Sequence, residues 1–348
     1  MKQTTLTLCF ALCLLVSFTV VQAGRKCRAV ALQGGGDRGA YEAGVLYGFV
    51  KNAKNPEDFQ YDVVTGVSAG SINSLAMMIY DKGEEEQMVE FLVNSWMATS
   101  QKDVFHKWPG GYAEGLLFRP SLVDNDPELN YLRSQIYRAP NRRMGVLVTT
   151  DINTGEKLAF TEEDWEEDQE FAARVGLFSS AIPALFKYRI YENHTFIDGG
   201  WAESIDMEDA ILRCRSIVDD DSDIILDVVY CANATVIDGS AAKFNGLQMY
   251  TRGQNIISWR KSNFLYTFTK QSFPEVQWRY FLIPSTKLPN QEIPLDFKPE
   301  NLDYMIKLGI SDAIRVMKQG EGVSAEAAYR EMINSMSPGI ENYVMVGS

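Results

Sequence analysis

Histidine is nearly absent from this chain: His106 and His194 are the only two among 348 residues. Any catalysis through imidazole must use one of these two. Cysteine is scarce as well. Cys9 and Cys13 fall in a leading apolar segment, leaving Cys27, Cys214 and Cys231, whose spacing fits neither a zinc site nor a disulfide framework. Three thiols allow at most one intramolecular disulfide, with one left over. Basic charge is in deficit, with 33 Lys and Arg against 46 Asp and Glu and a formal charge of −13. This balance opposes nucleic-acid binding and strong attraction to anionic bilayers, but not docking on neutral or zwitterionic lipid. The acidic runs Glu84–Glu86, Glu162 to Glu170 and Asp219–Asp221 lack calcium-loop spacing and read as solvated surface. No Pro/Gly/Ser-rich linker and no internal repeat divides the chain.

There is one long apolar run. Leu6 to Val21 follows Met1-Lys2-Gln3 and ends near the small residues of Val21-Gln22-Ala23. It falls short of the roughly 20 residues that span a bilayer, so residues 1–23 are read as a signal peptide cleaved after Ala23 or Gly24. Its removal takes away Lys2 and leaves −13 − 1 = −14. The expected destination is the exterior or an endomembrane lumen. The sequons at Asn193 and Asn233 agree with this, and Tyr343 to Ser348 shows neither an anchor tail nor a retention signal.

Residues 24–348 are expected to form a single domain, with a motif-bearing core over about 28–211 and an extension over 212–348. Arg28 to Leu32 reads as a buried strand that runs into a glycine-rich loop and a helix over Ala40 to Val50. Tyr61 to Thr65 is a second strand, followed by a turn and a helix through Ile79. This succession predicts parallel βαβ packing. Met144 to Thr149 and Asp223 to Tyr230 are further strands. Tyr188–Tyr191 and Thr195–Ile197 form a hairpin, and Asn301 to Gly320 an amphipathic helix. Residues 81–140 and 235–300 are less regular and suggest helices, loops and a cap. Over 251–280, Arg252, Arg260, Lys261, Lys270 and Arg279 are interleaved with aromatics. That stretch fits a lipid-facing surface or an ordinary core element with a solvated edge.

Three motifs bear chemistry. Gly66-Val67-Ser68-Ala69-Gly70 stands between strand and helix, where a sharp turn exposes the serine hydroxyl and needs glycine on either side. Upstream, Gly34-Gly35-Gly36-Asp37-Arg38-Gly39 could bring backbone amides close to a developing oxyanion. The same letters satisfy a dinucleotide fingerprint, which requires an acid at the end of the next strand; Asp62 lies at its beginning instead. Downstream, Asp198-Gly199-Gly200 closes a strand with a carboxylate suited to act as a base in an apolar cleft. Asp37, beside the glycine loop, is expected to face solvent, since pointing inward it would oppose the charge being stabilised.

In this order the three motifs resemble the patatin-like phospholipase family. Supporting similarities lie in Thr150–Glu156, in Ser179–Phe186 and in the region from Leu295 through Gly309. One departure is Trp201–Ile205, which lacks the asparagine and proline common at that place. The resemblance implies a three-layer α/β/α fold with a mostly parallel central sheet. It also implies a Ser-Asp dyad of Ser68 as nucleophile and Asp198 as general base. The amides of Gly35 and Gly36 would form the oxyanion hole, Arg38 would shape the loop, and Gly34, Gly39, Gly66, Gly70, Gly199 and Gly200 would complete the motifs. The implied activity is metal- and cofactor-independent cleavage of phospholipid, lysophospholipid or glyceride acyl esters at a lipid interface, which would explain the want of histidine. Two rivals stand beside it: a histidine-dependent hydrolase using Ser68, Asp151 and His194, and an inactive lipid-binding or storage protein on the same scaffold.

Overall fold

The buried run of β1 (Cys27–Leu32) sends alternate side chains to opposite faces of a sheet. Val30 and Leu32 enter one core, while Cys27, Ala29 and Ala31 enter a second. A strand buried on both faces must be covered by helices on both. The chain supplies them. This is a computed structural model, and it describes residues 24–135, 141–232, 243–289 and 295–336. The leading apolar segment, the Asn233 sequon and the C-terminal residues lie outside the described residues.

In chain order the elements are β1, α1 (Gly39–Lys51), β2 (Val63–Val67), α2 (Ala69–Met78), α3 (Glu85–Ala98), α4 (Gln101–Val104), α5 (Gly111–Phe118), α6 (Asp126–Gln135), β3 (Met144–Asp151) and β4 (Lys157–Thr161). There follow α7 (Gln169–Ser179), β5 (Arg189–Tyr191), β6 (His194–Asp198), α8 (Glu208–Cys214), β7 (Ile224–Val229), α9 (Gly246–Ser272), β8 (Gln277–Leu282), α10 (Pro299–Gln319) and α11 (Val323–Met336). The strands hydrogen-bond in the order β5-β6-β3-β2-β1-β7-β8, and β4 also pairs with β3. Neighbours from β3 to β8 along that order are parallel, whereas β4, β5 and β6 join antiparallel. The α/β/α arrangement with a mostly parallel sheet is the one expected. Residues beyond 211 add β7 and β8 to the same sheet.

One helical layer packs Phe49, Leu75, Leu92, Val175 and Met305, from α1, α2, α3, α7 and α10, into a single core. The other layer packs Ile211, Tyr266 and Met332, from α8, α9 and α11. Burying each large apolar side chain contributes roughly 1.5–3 kcal/mol. Helices α1 and α10 cross closely, because a Cβ at Gly44 would lie 2.2 Å from the Ile306 carbonyl oxygen. Pro299 opens α10 and Gly320, at φ 101°, ends it, as fits residues with these backbone preferences. The basic, aromatic stretch forms most of α9 and β8. On α9, Tyr266 is buried while Phe264 and Phe268 are exposed, so one edge is core and the other faces solvent. Cys27 and Cys214 form the disulfide, leaving Cys231 buried and free.

Two strands meet end to end on β3. Strand β2 pairs with it through Val67 opposite Val148, and β6 takes over with Asp198 opposite Thr149. Because β2 and β6 run in opposite directions, their C-terminal ends converge there.

Candidate active site

Ser68 fills the turn between β2 and α2 at φ 54° and ψ −120°, a region that side chains other than glycine seldom adopt. A Cβ at Gly66 would lie 2.3 Å from the Gly70 carbonyl oxygen, and one at Gly70 would lie 2.5 Å from that of Leu32. Glycine is therefore required on both sides of the serine. Ser179 holds the strained turn in place: its hydroxyl oxygen accepts the Ser68 amide N–H at 2.8 Å, and its O–H donates to the Val148 carbonyl at 2.6 Å.

The converging strand ends bring Asp198 to Ser68. The Ser68 hydroxyl stands beside the Asp198 carboxyl group and favours its ionised form. Asp198 Oδ1 accepts the Gly200 amide at 2.8 Å. Burial lifts the carboxyl to about 6, against the pull of the Ser68 hydroxyl and the Gly200 amide. Gly199 fits beneath it with no room for a side chain, since a Cβ would lie 2.2 Å from the Val148 carbonyl oxygen.

The glycine loop closes over the same point. Gly34 N–H donates to the Ser204 carbonyl at 3.0 Å, within the segment that departs from the family pattern, and Arg38 N–H donates to the Gly35 carbonyl at 3.2 Å. A Cβ at Gly34 would lie 3.0 Å from Ser68 Cβ, and one at Gly35 would lie 2.3 Å from Cys231 Sγ. Gln33 Oε1 ties the loop to the end of β7 by accepting the Cys231 and Ala232 amides. Among the described residues, no acceptor is paired with the Gly35 or Gly36 amide. Gly39 opens α1 against the ring of Trp96.

Asp37 does not face solvent, contrary to expectation. It is buried, and its Oδ2 accepts the Asp296 amide at 2.8 Å. The short turn Gly36–Arg38 tucks the side chain beneath the segment at 295–297. Burial raises its carboxyl to about 7, so a large neutral fraction at neutral pH reduces the conflict with negative charge nearby.

From Ser68 and Gly36 a cleft of about 780 Å³, its open mouth included, runs between α2, α3 and α6. Ile72, Leu92, Trp96, Leu132, Phe186 and Phe297 give it an apolar wall. Glu128 interrupts that wall: buried, pushed up to about 7 by desolvation, it accepts the Ser180 hydroxyl at 2.6 Å and the Asn125 side-chain amide at 3.1 Å.

The other serine-base pairing is not assembled. His194 Nδ1 lies 2.9 Å from Asp151 Oδ2, and this contact holds the Asp151 carboxyl below its ordinary value. His194 is four residues from Asp198 along β6, about 13 Å at strand spacing. His106 lies at the surface beside Asp124. Sequence reading missed the supports Ser179, Cys231 and Gln33, and the wall residue Glu128. Ser179 had a signal, the polar Ser179-Ser180 pair ahead of an apolar run; Glu128, within Asp124-Asn125-Asp126-Pro127-Glu128, had none.

A family model described as patatin-like phospholipase matches residues 30–211, more than half of the chain. No curated protein matches the sequence significantly. Among solved structures, the chain is similar to VipD from Legionella pneumophila at 14% identity and a TM-score of 0.40, over 85% of this chain and 67% of that one. It is also similar to human GIVD cytosolic phospholipase A2, solved with methyl gamma-linolenyl fluorophosphonate and terbium chloride. There the identity is 13% and the TM-score 0.36, over 89% of this chain and 60% of the human one.

Proposed function

The chain belongs to the patatin-like phospholipase family, and from that premise we propose that it hydrolyses lipid acyl esters with Ser68 as nucleophile and Asp198 as general base. The observation that supports this most is the Ser68 hydroxyl beside a buried carboxyl group at the end of an apolar cleft. Ionised Asp198 takes the hydroxyl proton as Ser68 attacks the ester carbonyl. The amides of Gly35 and Gly36 receive the oxyanion, and Asp198 returns its proton to the departing alcohol. Water then cleaves the acyl-enzyme with Asp198 again as base. The wall of the cleft suits an acyl chain, and Ser179 keeps the elbow in its strained form throughout. Phospholipids, lysophospholipids and glycerides are the substrate classes proposed. The proposed location is the exterior or a secretory lumen, which the Cys27–Cys214 disulfide supports.

A panel of defined phospholipids and glycerides tests the reading, with a fluorophosphonate probe run in parallel. Wild type is expected to release fatty acid and take the label. Ser68→Ala should do neither, its turnover falling by roughly 10³-fold or more. Wild type that neither labels nor hydrolyses would leave a lipid-binding scaffold instead. Replacing both histidines by alanine should leave turnover in place.

A further inference from the structure

Helix α5 touches the rest of the molecule through its small residue: Gly115 is buried, and a Cβ there would lie 2.3 Å from the Leu122 carbonyl oxygen. Beyond it the helix ends in Leu116, Leu117 and Phe118, which are 76%, 68% and 80% exposed. No large apolar residue among the described ones is more exposed than Leu116 and Phe118. Tyr112, also exposed, lies one turn before Leu116. Contiguous apolar surface left to water marks a contact site.

Long cations and aromatic rings frame this tip. Lys107 Nζ stands 4.5 Å from the centre of the Tyr112 ring, and the Arg119 guanidinium stands 4.8 Å from that of Trp108. Apolar residues at the tip, with amphipathic rings and snorkelling cations behind them, match the layers of a lipid interface. The tip is also continuous with the cleft. Val104, on the cleft wall, precedes it in the chain. After it, Leu122 N–H donates to the Ala184 carbonyl at 2.8 Å and Val123 N–H to that of Leu185 at 3.2 Å. Ala184 and Leu185 lie between Ile182 and Phe186, which line the cleft.

We propose that α5 docks the protein on a zwitterionic phospholipid bilayer. Leu116, Leu117 and Phe118 enter the acyl region, and Lys107 and Arg119 remain at the level of the phosphates. The proposal rests on the reading of the adjoining cleft as an acyl-ester site. The overall charge of −13 favours a zwitterionic over an anionic surface. The exposed stripe of α9, with Phe264 and Phe268, belongs to the helical layer away from the cleft and is not assigned this role.

The test uses the full chain and vesicles of ether-linked phosphatidylcholine, which offer no acyl ester to cleave. The variant Leu116→Ser/Leu117→Ser/Phe118→Ser should sediment with vesicles at least tenfold less than wild type. Its thermal midpoint and its hydrolysis of a monomeric, water-soluble short-chain ester should be unchanged. Equal partition of the two proteins overturns the proposal. So does a wild-type dimer in sedimentation velocity that the triple variant dissolves, since the tip would then join two copies. Phe264→Ser/Phe268→Ser should bind vesicles as wild type does, and loss of binding there would move the docking surface to α9. If ester hydrolysis proves independent of Ser68 while tip-dependent vesicle binding persists, the hydrolase reading falls and the docking assignment stands.

Discussion

To act as the proposed base for Ser68, Asp198 would have to be ionised, yet its burial favours the neutral acid. With the carboxyl at about 6, the ionised fraction grows as pH rises through that value. We therefore expect kcat/KM on a monomeric ester to climb through pH of about 6 and then level off. Asp198→Asn should lose roughly 10³-fold or more at every pH, whereas Glu128→Gln should keep the acid limb. A profile flat from about pH 5 to about pH 8 would rule out Asp198 as the base. The place of Asp198 was legible because Asp198-Gly199-Gly200 ends a strand in the sequence itself. The burial of Asp37 was not, because its cover comes from Asp296, 259 residues away along the chain.

Elements meet at the glycine loop, and one tight contact there is between Gly35 and the Cys231 sulfur just beyond β7. The φ of Gly35 is −172°, ordinary extended backbone, so only space forbids a side chain there. Gly35→Ala would place its methyl carbon 2.3 Å from Cys231 Sγ and push the loop away from Ser68. We expect activity to fall at least roughly tenfold and to recover in Gly35→Ala/Cys231→Ala, which removes the opposing atom. Kinetic coupling in the double-mutant cycle is the measurement, and additive effects would refute the contact. At this scale legibility was uneven. Strands β1, β2, β3 and β7 are buried on both faces and stand out as apolar runs. Strand β8 did not, because Arg279 sits in its middle; the structure buries that charge against Asp227, with Nε 3.0 Å from Oδ1. Strand β4 is only half covered and so lacks the apolar run of a central strand. Helices α3 and α6, which wall the cleft, fall in 81–140, where helices, loops and a cap were expected without bounds, since the cleft-facing pattern is set by partners distant in sequence.

Across the whole molecule, the three thiols beyond the leading segment allowed three pairings, and sequence left them open. The sheet decides between them. Cys27 and Cys214 enter the core behind one face, whereas Cys231 lies in the core behind the other. The disulfide closes 187 residues of chain and links the first strand to α8. Its removal by Cys27→Ala/Cys214→Ala should cost roughly 2–4 kcal/mol of stability, read as a lower midpoint in denaturant. Cys231→Ala should leave the response to reductant intact. An unchanged midpoint after reduction would count against the bond.

The convergence of β2 and β6 on β3 also sets an order in time. Ser68 is made with the first parallel strands, but Asp198 follows 130 residues later, from 198 − 68, on a strand that must dock antiparallel. A one-residue slip in that docking would turn the carboxylate to the opposite face. A growing chain thus carries its serine without the proposed base until β6 has been made and paired with β3. In the chemistry proposed for this protein, a fragment that ends before the hairpin has a nucleophile but no base, and the residues that brace the glycine loop and finish the cleft wall come later still.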